Sequence, residues 1–202
     1  MTDQPETSFV TFENQVAQDW DALAVHLDQA GNRFDAGAEP RQFAGGFGNL
    51  NYLISLDGLP AVLRRPPMGD IPPGANDMKR EDRILSRLWR AFPLAPRSLH
   101  YSPDKEIIGN HFLIMEYRAG LTIGGSWPVF LAGRDDIGAA LGEMLVDTLV
   151  AFHAVEPADV DLGEFGRPAG FLQRAVAGWR QRMELSCDDA PPAAGVAVAD
   201  WL

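Results

Sequence analysis

Leu50-Asn51-Tyr52-Leu53-Ile54-Ser55-Leu56 runs into Asp57-Gly58-Leu59-Pro60 and then into Ala61-Val62-Leu63-Arg64-Arg65. Leu50, Tyr52, Ile54 and Leu56 alternate with Asn51, Leu53 and Ser55, the period of two expected of a strand. Asp57-Gly58-Leu59-Pro60 carries turn residues, so Ala61 to Arg64 reads as the returning strand of a hairpin. Neighbours on a strand point to opposite faces, which separates Arg64 from Arg65. Just upstream, Phe43-Ala44-Gly45-Gly46-Phe47-Gly48-Asn49 reads as the end of an earlier strand followed by a glycine-rich turn. Just downstream, Pro66-Pro67 and Pro72-Pro73 force a loop, because proline cannot donate to a sheet ladder.

Outward from this hairpin the period changes to that of helices. Phe12, Val16, Trp20, Leu23 and Leu27 share one helical face and predict a helix over about residues 13–29, closed by Gly31-Asn32. Ile84, Leu85, Leu88, Trp89 and Phe92 predict a second helix over residues 78–92. Glu81 falls on the same stripe, and an inward carboxylate calls for a cationic partner. Glu106-Ile107-Ile108 and His111 to Tyr117 read as two further strands around a Gly109-Asn110 turn. Beyond Gly120 the stripe of Ile137, Leu141, Met144, Leu145, Leu149 and Phe152 is helical, and Phe171 to Met183 predicts a shorter helix. The expected fold is α+β: an antiparallel sheet with an inserted helix over residues 1–119, including the N-terminal helix, then helices over 120–202. Gly120 to Ser126 is the expected link between them.

Composition sets outer bounds. The chain has 202 residues, 46% of them hydrophobic, which suffices to bury a core without disulfides or structural metal. A lone Cys187 makes neither an internal disulfide nor a cysteine metal site. The start, Met1-Thr2-Asp3-Gln4-Pro5-Glu6, lacks the basic and apolar regions of a signal peptide, so the expected location is the cytoplasm. The net charge of −11 argues against nucleic acid and anionic membranes as partners. Residues 61–100 nonetheless carry eight basic and four acidic side chains, a local +4. That island suits either a phosphorylated small ligand or an ordinary solvated helix face.

Individual motifs are permissive. The glycines of Gly45-Gly46-Phe47-Gly48-Asn49 allow close approach of backbone N–H groups to phosphate oxygens, and they also suit a plain turn. No Gly-Lys-Ser or Gly-Lys-Thr follows, and residue 51, where the dinucleotide fingerprint needs its third glycine, is asparagine. No His-Glu-x-x-His occurs, and Gly124-Gly125-Ser126-Trp127-Pro128 lacks the closing glycine of a nucleophile elbow. Glu164-Phe165-Gly166 reads as a turn, and His153 as a packing or capping residue at a helix end. The order of parts carries more weight: a glycine turn, a strand cation (Arg64), a helix carboxylate (Glu81), and an apolar strand ending Met115-Glu116-Tyr117. In protein kinases a strand cation contacts nucleotide phosphates and pairs with a helix glutamate.

With these residues in hand, Phe43 to Gly120 resembles the small lobe of the aminoglycoside phosphotransferase family, within the protein-kinase-like superfamily. Val62-Leu63-Arg64-Arg65-Pro66-Pro67, Arg80-Glu81 and Ile108 to Glu116 look closest to the kinase-like domain fused to some acyl-CoA dehydrogenases. Phe152-His153-Ala154-Val155 and Gly166-Arg167-Pro168-Ala169-Gly170-Phe171 resemble the start of that group's large lobe. The resemblance implies a protein-kinase-like fold and phosphoryl transfer from ATP, with magnesium (Mg2+), to a hydroxyl of a small-molecule or acyl-CoA-type acceptor. It implies that Gly45, Gly46, Phe47, Gly48 and Asn49 cover the nucleotide phosphates, that Arg64 and Glu81 orient them, and that Met115 lies beside the purine. The backbone of Glu116 and Tyr117 would meet the purine edge. The family's His-Gly-Asp loop and metal-binding aspartate have no counterpart here, since the four histidines precede Leu27, Tyr101, Phe112 and Ala154. The expectation is therefore a member whose helical lobe is incomplete, with no catalytic residue of its own and apolar helix faces that favour homo-oligomers. A non-catalytic, pseudokinase-like nucleotide-binding or interaction module is the alternative.

Overall fold

The computed structural model describes residues 8–45, 48–69, 71, 74–120, 123, 128–131, 133–134, 136–187 and 189–202. Its centre is one antiparallel sheet of five strands: β1 (Arg41–Gln42), β2 (Leu50–Leu56), β3 (Leu59–Arg65), β4 (Ser98–Ser102) and β5 (Phe112–Glu116). Their spatial order is β1-β2-β3-β5-β4. The β2–β3 hairpin pairs Leu56 with Leu59 across Asp57 and Gly58, both with positive φ (52° and 77°). Two such residues in a two-residue loop match the strands' right-handed twist, which is why Asp-Gly closes this hairpin so tightly.

The alternation read in the hairpin decides what packs on each face. Tyr52, Ile54 and Leu56 of β2, Ala61 and Leu63 of β3, and Phe112 and Ile114 of β5 are buried on one face, in one cluster with Leu23 and Leu27. The last two belong to α1 (Trp20–Gln29), which therefore covers that face. The expected start of this helix at residue 13 is corrected to Trp20, capped by Asp19 accepting from Ala22 N–H at 2.9 Å. Phe12–Asn14 is one turn of 3-10 helix. The intervening backbone is drawn out of helix by side chains of the sheet. Val16 N–H donates to Gln42 Oε1 (2.7 Å), Gln42 N–H donates to Gln15 Oε1 (3.1 Å), and the Tyr52 hydroxyl donates to Val16 O (2.7 Å).

The other face carries Leu53, Val62, Arg64, Leu113 and Met115, and α2 (Met78–Leu88) serves this side. Asp77 caps α2 by accepting from Arg80 N–H, and Ser98 Oγ donates to Asp82 Oδ1 at 2.6 Å, fastening the helix to β4. Glu106-Ile107-Ile108 is a turn and not the expected strand. Ile107 and Ile108 are buried all the same, as pegs under the loop between β4 and β5. The strand beside β5 is Ser98–Ser102, whose polar alternates and register shift between Ser98 and His100 hide the period of two.

Three helices follow: α3 (Ile137–His153), α4 (Phe171–Leu185) and α5 (Ala193–Trp201), the last not anticipated from the sequence. The end of α3 and the segment after it reach back to α2 and the turn that follows α2. Val160 is buried, Phe152 meets Phe92 edge-on at 5.4 Å, and the Arg83 guanidinium lies 4.7 Å from the Phe165 ring centre. Among the described residues no helix is long and apolar enough to cross a membrane.

Candidate functional site

The hairpin's pairing sets Arg64 opposite Asn51 on β2 and Leu113 on β5. Its side chain emerges on the α2 face, where Arg64 Nε lies 2.8 Å from Glu81 Oε2. The pair expected from the helical stripe is thus formed. Each side chain keeps about a third of its surface open (29% and 31%), so water screens the attraction and its contribution to stability is about 1 kcal/mol or less. A partly open ion pair of this kind can exchange contacts with an incoming anion.

The rest of the guanidinium is held by amides. Arg64 Nη1 donates to Asn51 Oδ1 at 3.3 Å. The Asn49 amide, oriented so that both its ends are satisfied, accepts from Arg64 Nη2 at 2.6 Å and Nε at 3.2 Å, and donates to Gly48 O. Asn49 therefore brings the end of the glycine turn onto the Arg64–Glu81 pair. Gly45 and Gly48 are described, whereas Gly46 and Phe47 lie outside the described residues.

Met115 sits on the same face as Arg64, paired with Val62 and with Ser98. Glu116 points the other way. Its carboxylate accepts from Arg97 N–H (3.0 Å) and Arg118 Nη2 (2.9 Å), and its own N–H donates to Arg97 O (2.9 Å). That N–H is therefore engaged by the Arg97 carbonyl and is not open to a purine edge. The Tyr117 ring faces Phe43, centroids 6.3 Å apart. A cleft of about 530 Å³ beside Glu116 and Arg118 is bordered by Asn32, Asp57 and Leu59, hence on the α1 side and away from Arg64.

Arg65, the other cation of the pair, is buried on the α1 face. It donates to Pro66 O at 3.1 Å, Gln18 Oε1 at 2.7 Å and the Ile108 carbonyl, with Nη2 3.3 Å from Met68 Sδ. Burial lowers its pKa. Sequence reasoning gave Arg65 no positive role; it fastens the β4–β5 loop and the stretch before α1 to the end of β3. Asn76 was missed too, because its contact spans 28 residues and no periodicity reports it.

A family model described as the phosphotransferase enzyme family matches residues 39–202. The chain is 28% identical over 186 residues to human acyl-CoA dehydrogenase family member 11, covering 89% of this chain and 23% of that protein. It is 30% identical over 179 residues to mouse acyl-CoA dehydrogenase family member 10, covering 86% and 16%. The chicken member 11 is 28% identical over 166 residues, covering 80% and 20%. The chain thus spans about a fifth of the length of these curated relatives. Among solved structures, a Ralstonia eutropha protein assigned as an aminoglycoside phosphotransferase superposes with a TM-score of 0.62 at 24% identity. The match covers 92% of this chain and 53% of that one. At that identity the likeness establishes the protein-kinase-like fold.

Proposed function

The chain belongs to the phosphotransferase enzyme family, and on that premise we propose that it forms the nucleotide-binding portion of an ATP-dependent small-molecule phosphotransferase. The observation that supports this reading best is the Arg64–Glu81 pair lying under the end of the glycine turn. Phosphoryl transfer rests mainly on positioning and on charges fixed before the reaction begins. Arg64 supplies a permanent positive charge with a planar fork suited to phosphate oxygens, and Glu81 and Asn51 set the plane of that fork. Met115, part-buried on the same sheet face, offers an apolar side chain for a flat base. Among the described residues no group of three or more His, Cys, Asp or Glu side chains is placed to hold a metal ion, so no step is assigned to magnesium. The acceptor is a hydroxylated small molecule, an acyl-CoA-type alcohol being one candidate class suggested by the dehydrogenase relatives.

A second reading, a nucleotide-binding module without catalysis, draws on the absence of any His-Gly-Asp in the 202 residues. The test measures ATP affinity by calorimetry and ATP consumption across a panel of hydroxylated acceptors. It uses this chain and a version extended through any downstream His-Gly-Asp segment. The expected result is ATP binding by both, weakened about tenfold or more by Arg64→Ala, with turnover in the extended version alone. Binding with no turnover in either favours the second reading. Absence of ATP binding sinks both.

A further inference from the structure

Asn76 precedes the cap of α2 and adopts a left-handed backbone conformation (φ 53°). Such a conformation is costly for most residues with a Cβ and tolerable for asparagine. Its side chain holds the end of the glycine turn: Nδ2 donates to the Gly48 carbonyl, to which the Asn49 amide also donates. A Cβ at Gly48 would meet the Asn76 amide at 3.8 Å, an ordinary contact, so polar bonding and not steric interlock joins the two segments. Asp77 then caps α2, and Glu81 follows one turn later to reach Arg64.

We propose that Asn76 is a positioning residue, a clasp that fastens the glycine turn to the start of α2 and so holds Gly48 and Asn49 over the Arg64–Glu81 pair. The proposal rests on the phosphate-site reading above and deepens it. Through this clasp the two elements that contact phosphate move as one unit, and the ligand groups that depend on it are the phosphates, not the base or sugar. Loss of the clasp therefore discriminates between ATP and adenosine, which a general loss of fold does not.

The experiment compares the 202-residue chain with Asn76→Gly, which keeps the backbone conformation and removes the amide, and with Asn76→Asp, which turns a carboxylate oxygen toward the Gly48 carbonyl. Backbone N–H order parameters at Gly45, Gly48 and Asn49 are measured by NMR relaxation without ligand, and affinities are measured for ATP and for adenosine. In Asn76→Gly, the order parameters at Gly48 and Asn49 fall and ATP affinity falls about tenfold, while adenosine affinity and cooperative unfolding stay unchanged. Asn76→Asp gives the same pattern, at least as large. Unchanged order parameters in both variants overturn the clasp, as does an equal loss of ATP and adenosine binding. If the parent chain binds no ATP, the phosphate-site reading fails, while the relaxation measurement still decides whether the clasp exists.

Discussion

Arg64 and Arg65 are adjacent, carry the same charge and end on opposite faces of one strand, and the consequences of removing them differ accordingly. Arg64 is partly solvated, and its ion pair lends little to folding. Arg65 is 3% exposed, and among the described residues no carboxylate pairs with it; carbonyl oxygens, the Gln18 amide and the Met68 sulfur take its N–H groups. Replacing Arg65 by methionine keeps much of its volume and strands Gln18 Oε1 and the Ile108 carbonyl without their donor. That change is expected to cost about 2–4 kcal/mol in urea unfolding, against about 1 kcal/mol or less for Arg64→Ala. Equal losses for the two would remove the distinction drawn here. The distinction itself was legible from the sequence, because alternation in β3 needs only the hairpin's phase. Asn76 was not legible: a left-handed asparagine bonded to a distant carbonyl leaves no periodic trace, and Pro72-Pro73 nearby suggests only a loop.

At the scale of elements, the hairpin and α2 followed from local pattern, while α1 and β4 were decided by partners far along the chain. Helical spacing from Phe12 onward is real, yet the stretch before Trp20 is claimed by Gln42 and Tyr52, and Phe12 is left exposed. The docking of α1 on β4 adds a pH dependence. His26 Nε2 and His100 Nε2 are 3.0 Å apart, with the Phe112 ring against both imidazoles. Burial, and then the neighbouring His26, lower the His100 pKa from 6.5; Asp82 opposes them with a smaller effect. A histidine whose folded pKa is depressed binds its proton more readily in the unfolded chain, so unfolding is favoured as pH falls below 6.5. His111, also lowered by burial, acts in the same direction. Stability measured by urea denaturation should therefore hold steady above pH 6.5 and decline below it. His100→Gln should flatten that decline, and an unchanged slope would show that the pair does not govern it.

For the whole molecule the decisive contrast lies between a sheet whose core is closed and helices whose apolar stripes are not. Leu141, Met144, Leu145, Leu149 and Phe152 follow α3 at helical spacing, as the sequence indicates, yet no α3 residue is buried; Leu145 keeps 60% of its surface and Phe152 42%. Trp179 on α4 and Trp201 on α5 are similarly open, at 64% and 83%. Contiguous apolar surface of this extent favours association, since each buried methylene contributes roughly 0.8 kcal/mol. The core around Tyr52 and Leu63 needs nothing from these helices, so association should occur without loss of the sheet. In sedimentation velocity the 202-residue chain is expected to show concentration-dependent species larger than a monomer. Substituting Leu145 and Leu149 together by glutamate, on the exposed stripe and distant from Arg64, should shift it toward monomer and leave the unfolding of the sheet unchanged. A monomer at every concentration in the parent chain would mean that these helices cover one another in solution. A double variant that loses the sheet would mean that α3 supports the core after all.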